Sequence, residues 1–478
     1  MKKIAINFFL LTILAFLSNN LLAQAYSIKG NIAGLKDTSI FLGYHYADKQ
    51  YLKDTTEIDS KGNFVFKGDK KLDGGIYLIV TPDKRYCEVL LADDQDFSFT
   101  TDLKDMVMNM KITGSTENEL FYTYLSTVSK MAKDIEPMKR EMDSETTKAE
   151  KKEELKKQIE LKEKEIGNFR KDFIAKNKGT FVSKLFLAME DPEIPEPPMG
   201  PDGKPVDSLF SFKYYRQHFF DNIDFSDDKI LRSPVYHNKV KMYFEKLTYQ
   251  IPDSIKKAAD FVVEKSRANK ELFKYTVWYL TTTYEQSKIM GFDAVFVHMV
   301  DEVYAKNEAF WMDSTQLTKI VKRANDIRPT LLGNKATNLT MVDTANKIVN
   351  LYSVKAPVTL LYFWASDCGH CKKETPKVVE VYNKYKKYGV KVFSINTKRD
   401  VSEWKKFIKE KEIEDWINVY DPTGQSRFHD FYDIYSTPVL YILDKDKKIV
   451  AKRIDSEGLD QFLKREFEMN DKAPTGNK

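Results

Sequence analysis

Residues 357–376 read PVTLLYFWASDCGHCKKETP, and this stretch decides the fold of the C-terminal part of the chain. Its apolar run, Val358 to Trp364, has the length and the β-branched and aromatic content of a strand buried on both faces. Ser366 and Asp367, residues that cap helices, then interrupt the run, and the apolar residues beyond recur at helical spacing. The sequence therefore predicts that the segment Cys368-Gly369-His370-Cys371 lies on the first turn of a helix that follows a buried strand.

Two cysteines at the start of a helix favour thiol–disulfide exchange. The free N–H groups of the first turn and their partial positive charge stabilise a thiolate over a thiol. We expect Cys368, the N-terminal and more exposed of the pair, to attack a disulfide, and Cys371 to resolve the mixed disulfide. His370 lies between them, and its positive charge when protonated would stabilise the Cys368 thiolate further. The redox group is then the disulfide Cys368–Cys371, and the sequence predicts no other cofactor.

The region from about 333 to 469 resembles the periplasmic, membrane-associated branch of the thioredoxin superfamily, the TlpA/ResA-like thiol:disulfide oxidoreductases. The resemblance rests on residues 363–376 (FWASDCGHCKKETP), on the distal Ser436-Thr437-Pro438 and on the order of strands and helices. It implies a thioredoxin-like α/β fold, and Pro376 stands where the superfamily has a helix-kinking proline. The alternation of strands and helices predicts a mostly parallel sheet with helices on both sides.

The resemblance also assigns residues around the cysteines. In this superfamily a cis-proline faces the cysteine pair, and the residue before it pairs through its backbone with the bound client chain. These roles fall on Pro438 and Thr437, and we assign Trp364 to client binding with them. In this branch a glutamate of the CKKE run tunes cysteine protonation, a role that falls on Glu374.

Two residues depart from the family pattern. Asp367 replaces the usual tryptophan or similar bulky residue before the first cysteine, and its negative charge opposes thiolate formation. Tyr362 stands six residues before Cys368, where thioredoxin has a buried aspartate and this branch often has an asparagine. The CGHC pair is itself that of protein disulfide isomerases, which indicates a less reducing potential than that of thioredoxin.

The N-terminus has the layout of a secretory signal peptide, which we place at residues 1–25. Lys2 and Lys3 form its charged start and Ile6–Leu17 its apolar core, which is short for a membrane span. No other stretch is long and apolar enough to span a bilayer. The sequence therefore predicts a periplasmic protein that is not integral to the membrane. Lysines and acidic residues are interleaved at a formal net charge of +5, so nothing indicates nucleic-acid binding.

The cysteine count excludes a scaffold built on disulfides. The chain has three cysteines, and two of them belong to the CGHC pair. Cys87 lies alone in a strand-like run, where a small buried core residue is expected. A zinc site at the pair would need two more ligands at suitable spacing, and the sparse histidines offer no second pair. We therefore predict no metal.

The length predicts about three domains. Residues 26–115 alternate short apolar runs with turn signals, which is typical of a small β-sandwich. Residues 116–332 show helical spacing and form the predicted α-helical domain. Residues 333–470 form the thioredoxin-like domain, and 471–478 a disordered tail. The predicted fold class is thus multidomain, with all-β, α-helical and α/β parts in that order.

The leading hypothesis is a periplasmic thiol:disulfide oxidoreductase that exchanges disulfides with client proteins, as a reductase or isomerase. A reductase in that compartment needs an electron donor, typically a membrane protein. The alternative is a binding or scaffold protein that works through its helical domain and keeps a vestigial thioredoxin module, although both cysteines and the Ser-Thr-Pro turn are retained. A peroxiredoxin-like peroxidase is a third hypothesis, but its Pro-x-x-x-Thr-x-x-Cys arrangement is not found around Cys368.

Overall fold

The structure is a computed structural model that describes residues 25–468. The chain divides into two compact units, one of residues up to 248 with 264–273, the other of residues 249–263 with those from 274 onwards. The predicted signal peptide, apart from residue 25, and the predicted tail lie outside the described residues. The fold types follow one another as expected: β-rich, then helical, then thioredoxin-like α/β. The domain boundaries themselves stay a prediction.

The first unit begins with a β-sandwich of two four-stranded sheets. Its strands are β1 (Tyr26–Ala33), β2 (Thr38–Tyr46), β3 (Lys49–Ile58), β4 (Asn63–Gly68), β5 (Gly75–Val80), β6 (Tyr86–Leu91), β7 (Asp96–Asp102) and β8 (Lys111–Thr113). The sheets have the orders β4-β1-β7-β8 and β3-β2-β5-β6. Neighbouring strands are antiparallel except β1 and β7, which are parallel. Alternating apolar residues of both sheets form one core between them.

The apolar runs that predict strands in this region all form them, but β3 does not follow from its sequence. Its residues KQYLKDTTEI are mostly polar, and most of their side chains are exposed. β3 is an edge strand, so only one of its backbone sides is paired and little of its surface enters the core. A strand of this kind lacks the apolar alternation that identifies a half-buried strand.

Helices complete the first unit. They are α1 (Thr116–Ala132), α2 (Ile135–Asp143), α3 (Ala149–Lys176), α4 (Phe181–Met189), α5 (Phe210–His218) and α6 (Pro234–Lys246). The charged helices α2 and α3 form a hairpin, tied by Lys139 to Glu163 (2.9 Å) and by Lys162 to Asp134 (3.2 Å). Such exposed pairs contribute little to stability, so the hairpin depends on its few buried side chains, among them Leu155.

Helix α1 covers the outer edge of β6. Its buried Asn118 accepts a hydrogen bond from the Leu90 N–H and donates one to the Leu90 carbonyl, both 2.7 Å long. The Tyr122 hydroxyl donates to the Glu88 carbonyl at 2.7 Å. These bonds satisfy backbone groups that an edge strand would otherwise leave without partners.

The second unit combines further helices with the thioredoxin-like domain. Helices α7 (Pro252–Ser266) and α8 (Lys270–Glu285) each have residues in both units, and α9 (Asp293–Met299) and α10 (Ser314–Ile327) belong to the second alone. Asp293 forms a mostly buried ion pair with Lys452 of the thioredoxin-like domain. Within the described range, no helix has both the length and the apolar content of a membrane span.

The thioredoxin-like domain is built on one seven-stranded sheet. Its strands are β9 (Thr340–Asp343), β10 (Ile348–Asn350), β11 (Thr359–Trp364), β12 (Lys391–Asn396), β13 (Ile417–Tyr420), β14 (Val439–Leu443) and β15 (Ile449–Lys452), in the order β10-β9-β13-β12-β11-β14-β15. Its helices are α11 (Gly369–Tyr385), α12 (Val401–Glu410), α13 (Phe428–Phe431) and α14 (Ser456–Leu463).

Strand β11 is buried on both faces, as its apolar run predicts. Leu360, Tyr362 and Trp364 enter one core, while Leu361 and Phe363 enter a second core on the opposite face of the sheet. This alternation follows from the period of two along a strand. Since β11 is a central strand, the residues that follow it emerge from the middle of the sheet edge.

The expectation of a mostly parallel sheet is wrong. In the described sheet, β11 and β12 pair in parallel, as do β12 and β13, whereas β9, β10, β14 and β15 all pair antiparallel. The cause is the hairpin at each end of the domain sequence, β9-β10 before β11 and β14-β15 after the Ser-Thr-Pro turn. Short hairpin connections make antiparallel pairs.

Replacement of Asn118 tests the cover on β6. We expect Asn118→Ala to lower the free energy of unfolding by about 2–4 kcal/mol, because it leaves a buried N–H and a buried carbonyl of Leu90 without partners. The exposed Asn109, which bonds to Asp102, is the matched control, and Asn109→Ala should change stability by less than about 0.5 kcal/mol. Urea unfolding followed by circular dichroism measures both variants. Equal midpoints for the two would show that α1 does not stabilise the strand edge.

Candidate active site

Cys368 forms the N-cap of helix α11, directly after strand β11. Its half-buried Sγ accepts a hydrogen bond from the Cys371 backbone N–H at 3.1 Å. The same sulfur lies 3.2 Å from the carbonyl oxygen of Thr437, to which its S–H can donate. The expected position on the first helical turn is therefore observed. The sulfur meets a free N–H of that turn, which is the group that stabilises a thiolate.

The environment of Cys368 favours its ionised form. Burial opposes ionisation, but hydrogen bonds from the Cys371 and Thr437 side chains and from the backbone of Cys371 and His370 outweigh it and lower the pKa of Cys368. The lowered pKa of Cys368 therefore comes from the neighbouring side chains and the first helical turn acting together.

Cys371 has the opposite character. Its side chain is fully buried in the core under the helix. Burial raises the pKa of the Cys371 thiol to about 12, with a further contribution from the neighbouring Cys368. One thiol of the pair is thus accessible and acidic, and the other is enclosed and protonated at neutral pH. Both cysteines are thiols in the structure.

Cys87 belongs to the first compact unit and differs from the pair in chemical character. It is a free thiol in the core of the β-sandwich, as expected for a lone cysteine in a strand. Desolvation raises the pKa of Cys87 to about 12, which leaves it protonated.

Asp367 and His370 flank the cysteine pair at the surface, and both side chains are exposed. Lys398 lies in the loop that follows strand β12, and it forms an ion pair with the Asp367 carboxylate at 3.2 Å. This cation offsets the negative charge that Asp367 places next to Cys368, so the departure from the family pattern has a local compensation. His370 adds its backbone N–H to the groups that stabilise the Cys368 thiolate.

Glu374 lies one turn after Cys371, and its carboxylate faces helix α14. It accepts a hydrogen bond from the Ser456 backbone N–H at 2.7 Å and forms an ion pair with Lys377 at 3.3 Å. Burial opposes ionisation here, but these partners lower the pKa of Glu374. The carboxylate is therefore charged at neutral pH and acts as an anchor between α11 and the start of α14.

The two aromatic residues of β11 on the cysteine side of the sheet are enclosed. The Tyr362 hydroxyl bonds to the Thr375 hydroxyl at 2.9 Å, and burial raises the pKa of Tyr362. Trp364 is 0% exposed, stacks on Phe407 with centroids 4.1 Å apart and donates its indole N–H to Ser394. The assignment of Trp364 to client binding is therefore wrong, because strand alternation turns its ring into the core.

The turn before β14 brings Thr437 and Pro438 against the cysteine pair. The Thr437–Pro438 peptide bond is cis, as the resemblance implies. Next to it lies a cavity of about 700 Å³, lined in part by His370, Glu374, Thr437 and Pro438. Among residues 25–468, no group of three or more histidine, cysteine, aspartate or glutamate side chains is arranged to hold a metal ion.

Three charged residues beside this turn were not identified from the sequence. Asp433, five residues before Pro438, receives two hydrogen bonds from Arg323 of α10, at 2.7 and 3.2 Å. Arg453, at the end of β15, also pairs with the Asp433 carboxylate. No local pattern joins these residues, since Arg323 and Asp433 are 110 positions apart. Only the turn signal at Ser436-Thr437-Pro438 points to this part of the domain.

Three family models match the chain along its length. Residues 26–121 match a domain of unknown function, DUF4369, and residues 139–329 match another, DUF5106. Residues 332–452 match the AhpC/TSA family. The matches follow the order of β-rich, helical and α/β parts, and the third contains both cysteines and the cis-proline.

Three relatives each cover less than a third of this chain. A thiol-disulfide oxidoreductase ResA of Bacillus cereus is 28% identical over 131 residues, which are 27% of this chain and 74% of the relative. The solution structure of a thiol:disulfide interchange protein from a Bacteroides species is 27% identical, over 31% of this chain and 96% of that one, with a TM-score of 0.28. A crystal structure of a domain of a possible thiol-disulfide isomerase from Cytophaga hutchinsonii is 47% identical, over 30% of this chain and 97% of that one, with a TM-score of 0.28. The AhpC/TSA match over residues 332–452 and the ResA relatives support a TlpA/ResA-like thiol-disulfide oxidoreductase domain in the C-terminal part of the chain.

Proposed function

We propose that this oxidoreductase works in the periplasm and exchanges disulfides with client proteins through Cys368 and Cys371. The observation that carries the proposal is the contrast between the two thiols. Cys368 has a lowered pKa and lies half-buried beside the carbonyl of Thr437, whereas Cys371 is fully buried with a raised pKa. A two-step exchange needs an accessible thiol that ionises more readily than an ordinary cysteine and a second, protected thiol that attacks afterwards.

In the reducing direction, the Cys368 thiolate attacks one sulfur of a client disulfide. A Cys368–client disulfide forms, and the other client sulfur leaves as a thiolate that takes up a proton. Cys371 then loses its proton and attacks the Cys368 sulfur, so that the Cys368–Cys371 disulfide forms and the second client thiolate leaves. Two electrons pass from the pair to the client. We assign the adjustment of cysteine protonation to His370 and Glu374.

The same turn provides a place for the client chain. Thr437 presents its carbonyl to Cys368, and Pro438 follows it at the rim of the cavity. A client chain that pairs with the backbone of Thr437 would bring its disulfide next to the Cys368 sulfur, which fixes the reacting atoms before exchange. We therefore assign client binding to Thr437 and Pro438.

The periplasmic location rests on the N-terminal sequence. Lys2, Lys3 and the apolar run Ile6–Leu17 have the layout of an export signal. In that compartment, a reductase returns to its dithiol form only if another dithiol supplies two electrons. We propose a membrane protein as this electron donor and, of the two directions, favour reduction or isomerisation.

The rate of alkylation of the reduced protein tests the contrast between the thiols. Iodoacetamide reacts with thiolates, so the lowered pKa should make Cys368 react faster near neutral pH than an ordinary cysteine, and its rate should level off above that pKa. Cys371, with a pKa raised to about 12, should stay unmodified from pH 6 to 9. Peptide mass spectrometry measures both rates, and Cys87 serves as the buried reference. Modification of Cys371 as fast as Cys368 would contradict the assignment of nucleophile and resolving thiol.

A trapping experiment tests the exchange itself. We expect Cys371→Ser to accumulate a mixed disulfide with oxidised insulin, because the resolving thiol is missing, and Cys368→Ser to form none. Cys87→Ala should behave as the unmodified protein. Non-reducing electrophoresis with mass spectrometry identifies the linked cysteine. If Cys368→Ala left every activity and partner intact, the scaffold alternative would replace the proposal.

The reduction potential of the Cys368–Cys371 pair tests the direction. We expect a value between roughly −270 mV, as for thioredoxin, and −180 mV, as for protein disulfide isomerase. Equilibration of the mature protein against glutathione buffers, with quantification of the dithiol form, gives the potential. A value near −120 mV, which belongs to a dedicated oxidant, would overturn the assignment as reductase or isomerase.

A further inference from the structure

Helix α10 contributes to the turn that receives the client, although it lies outside the residues that match the thioredoxin-like family model. We propose that Arg323 of α10 is a positioning residue for the loop Asp433–Pro438, and that Tyr435 in this loop contacts the client chain. The proposal rests on the proposed function, because it concerns how the same site binds its clients.

The loop is held at its base and open at its tip. Tyr432 and Asp433 are buried, and Val439 begins strand β14, the neighbour of β11 in the sheet. Between them, Tyr435 and Ser436 are exposed, and Thr437 and Pro438 are half-buried. The exposed tip therefore directly precedes Thr437 in the chain, the residue whose carbonyl faces Cys368.

The base is held by one carboxylate between two guanidinium groups. Arg323 donates two hydrogen bonds to the two oxygens of Asp433, the fork geometry that fixes orientation as well as distance. Arg453 pairs with the same carboxylate and donates to the Asp433 carbonyl at 3.0 Å. Since the Asp433 side chain is 7% exposed, solvent screens this arrangement little.

Arg323 also reaches the tip of the loop. Its guanidinium carbon lies 5.4 Å from the centroid of the Tyr435 ring, within the range of a cation–π contact. Tyr435 is nevertheless 86% exposed and lines the cavity together with Thr437, Pro438 and Arg453. An exposed aromatic ring that contacts Arg323 and lines the same cavity as Thr437 offers apolar area to a bound chain at a low cost in conformational entropy.

The loop Asp433–Pro438 and its cavity therefore fit one kind of ligand. The client is an extended polypeptide whose backbone follows Thr437 and which places an apolar side chain, near its own cysteine, on the ring of Tyr435. The helical part of the chain thus shapes client recognition and does more than connect the domains.

The test uses the pre-reduced full chain and an excess of insulin as the probe, with formation of the Cys368–Cys371 disulfide followed by acid quenching and mass spectrometry. We expect Arg323→Gln to raise the half-saturating insulin concentration about fivefold, while the maximal rate changes less than twofold, because the loop binds client less well but the thiols are unaltered. Tyr435→Ala should show the same pattern. Both changes act on one loop, so the double variant should exceed the larger single effect only slightly.

The control is Arg328→Gln, which removes a similar two-bond pair, to Asp301, from the same helical segment. It should leave both constants unchanged. If Arg323→Gln does not fold, Tyr435→Ala still decides the matter, since it removes an exposed ring. Half-saturation equal to the control in the soluble variants, or a fall in the maximal rate alone, would overturn the inference. Failure of the unmodified chain to react with a small aromatic disulfide through Cys368 would instead overturn the proposed function together with it.

Discussion

The short link between strand β11 and helix α11 is the constraint on which the rest of the domain depends. β11 is fixed by burial on both faces, and the helix starts at the residue after Cys368. The sulfur therefore lies at the N-terminus of a helix that packs on one core and follows directly from a strand buried in two. Without that anchoring, the first-turn N–H groups would not be aimed at the sulfur, and one of the contributions that lower the pKa of Cys368 against the effect of burial would be lost.

The same constraint separates the two cysteines chemically. A step of three residues on a helix turns the second side chain by most of a full rotation and moves it along the axis. Cys368 remains at the surface, while Cys371 enters the core beneath Tyr362 and Trp364. The protein thus obtains two different thiols from one short motif, and the difference comes from the surroundings.

Much of this could be predicted from local sequence. The double burial of β11 and the helix start at the cysteines follow from patterns within a few residues of each feature. The orientation of the Trp364 side chain was harder to predict, because an aromatic residue near a catalytic motif can face the site or the core. Polar β3 carried no pattern, since an edge strand buries few side chains.

The charged cluster around Asp433 lay beyond any such pattern. Charged residues are frequent along the whole chain, and nothing local distinguishes Arg323 from the other cations of its helix. Only folding brings the two residues together across 110 positions. Predictions from periodicity find elements and their faces, whereas a contact of this kind depends on how distant elements pack.

That cluster also limits what a fragment can represent. A fragment that begins at residue 333 keeps both cysteines, the cis-proline and every strand of the sheet, so it has all that the family motif requires. It lacks Arg323, however. Its Asp433 carboxylate would still pair with Arg453, but the part of the carboxylate that Arg323 contacts would be exposed to water. The excised domain and the whole chain thus share one redox centre but differ in the surface next to it.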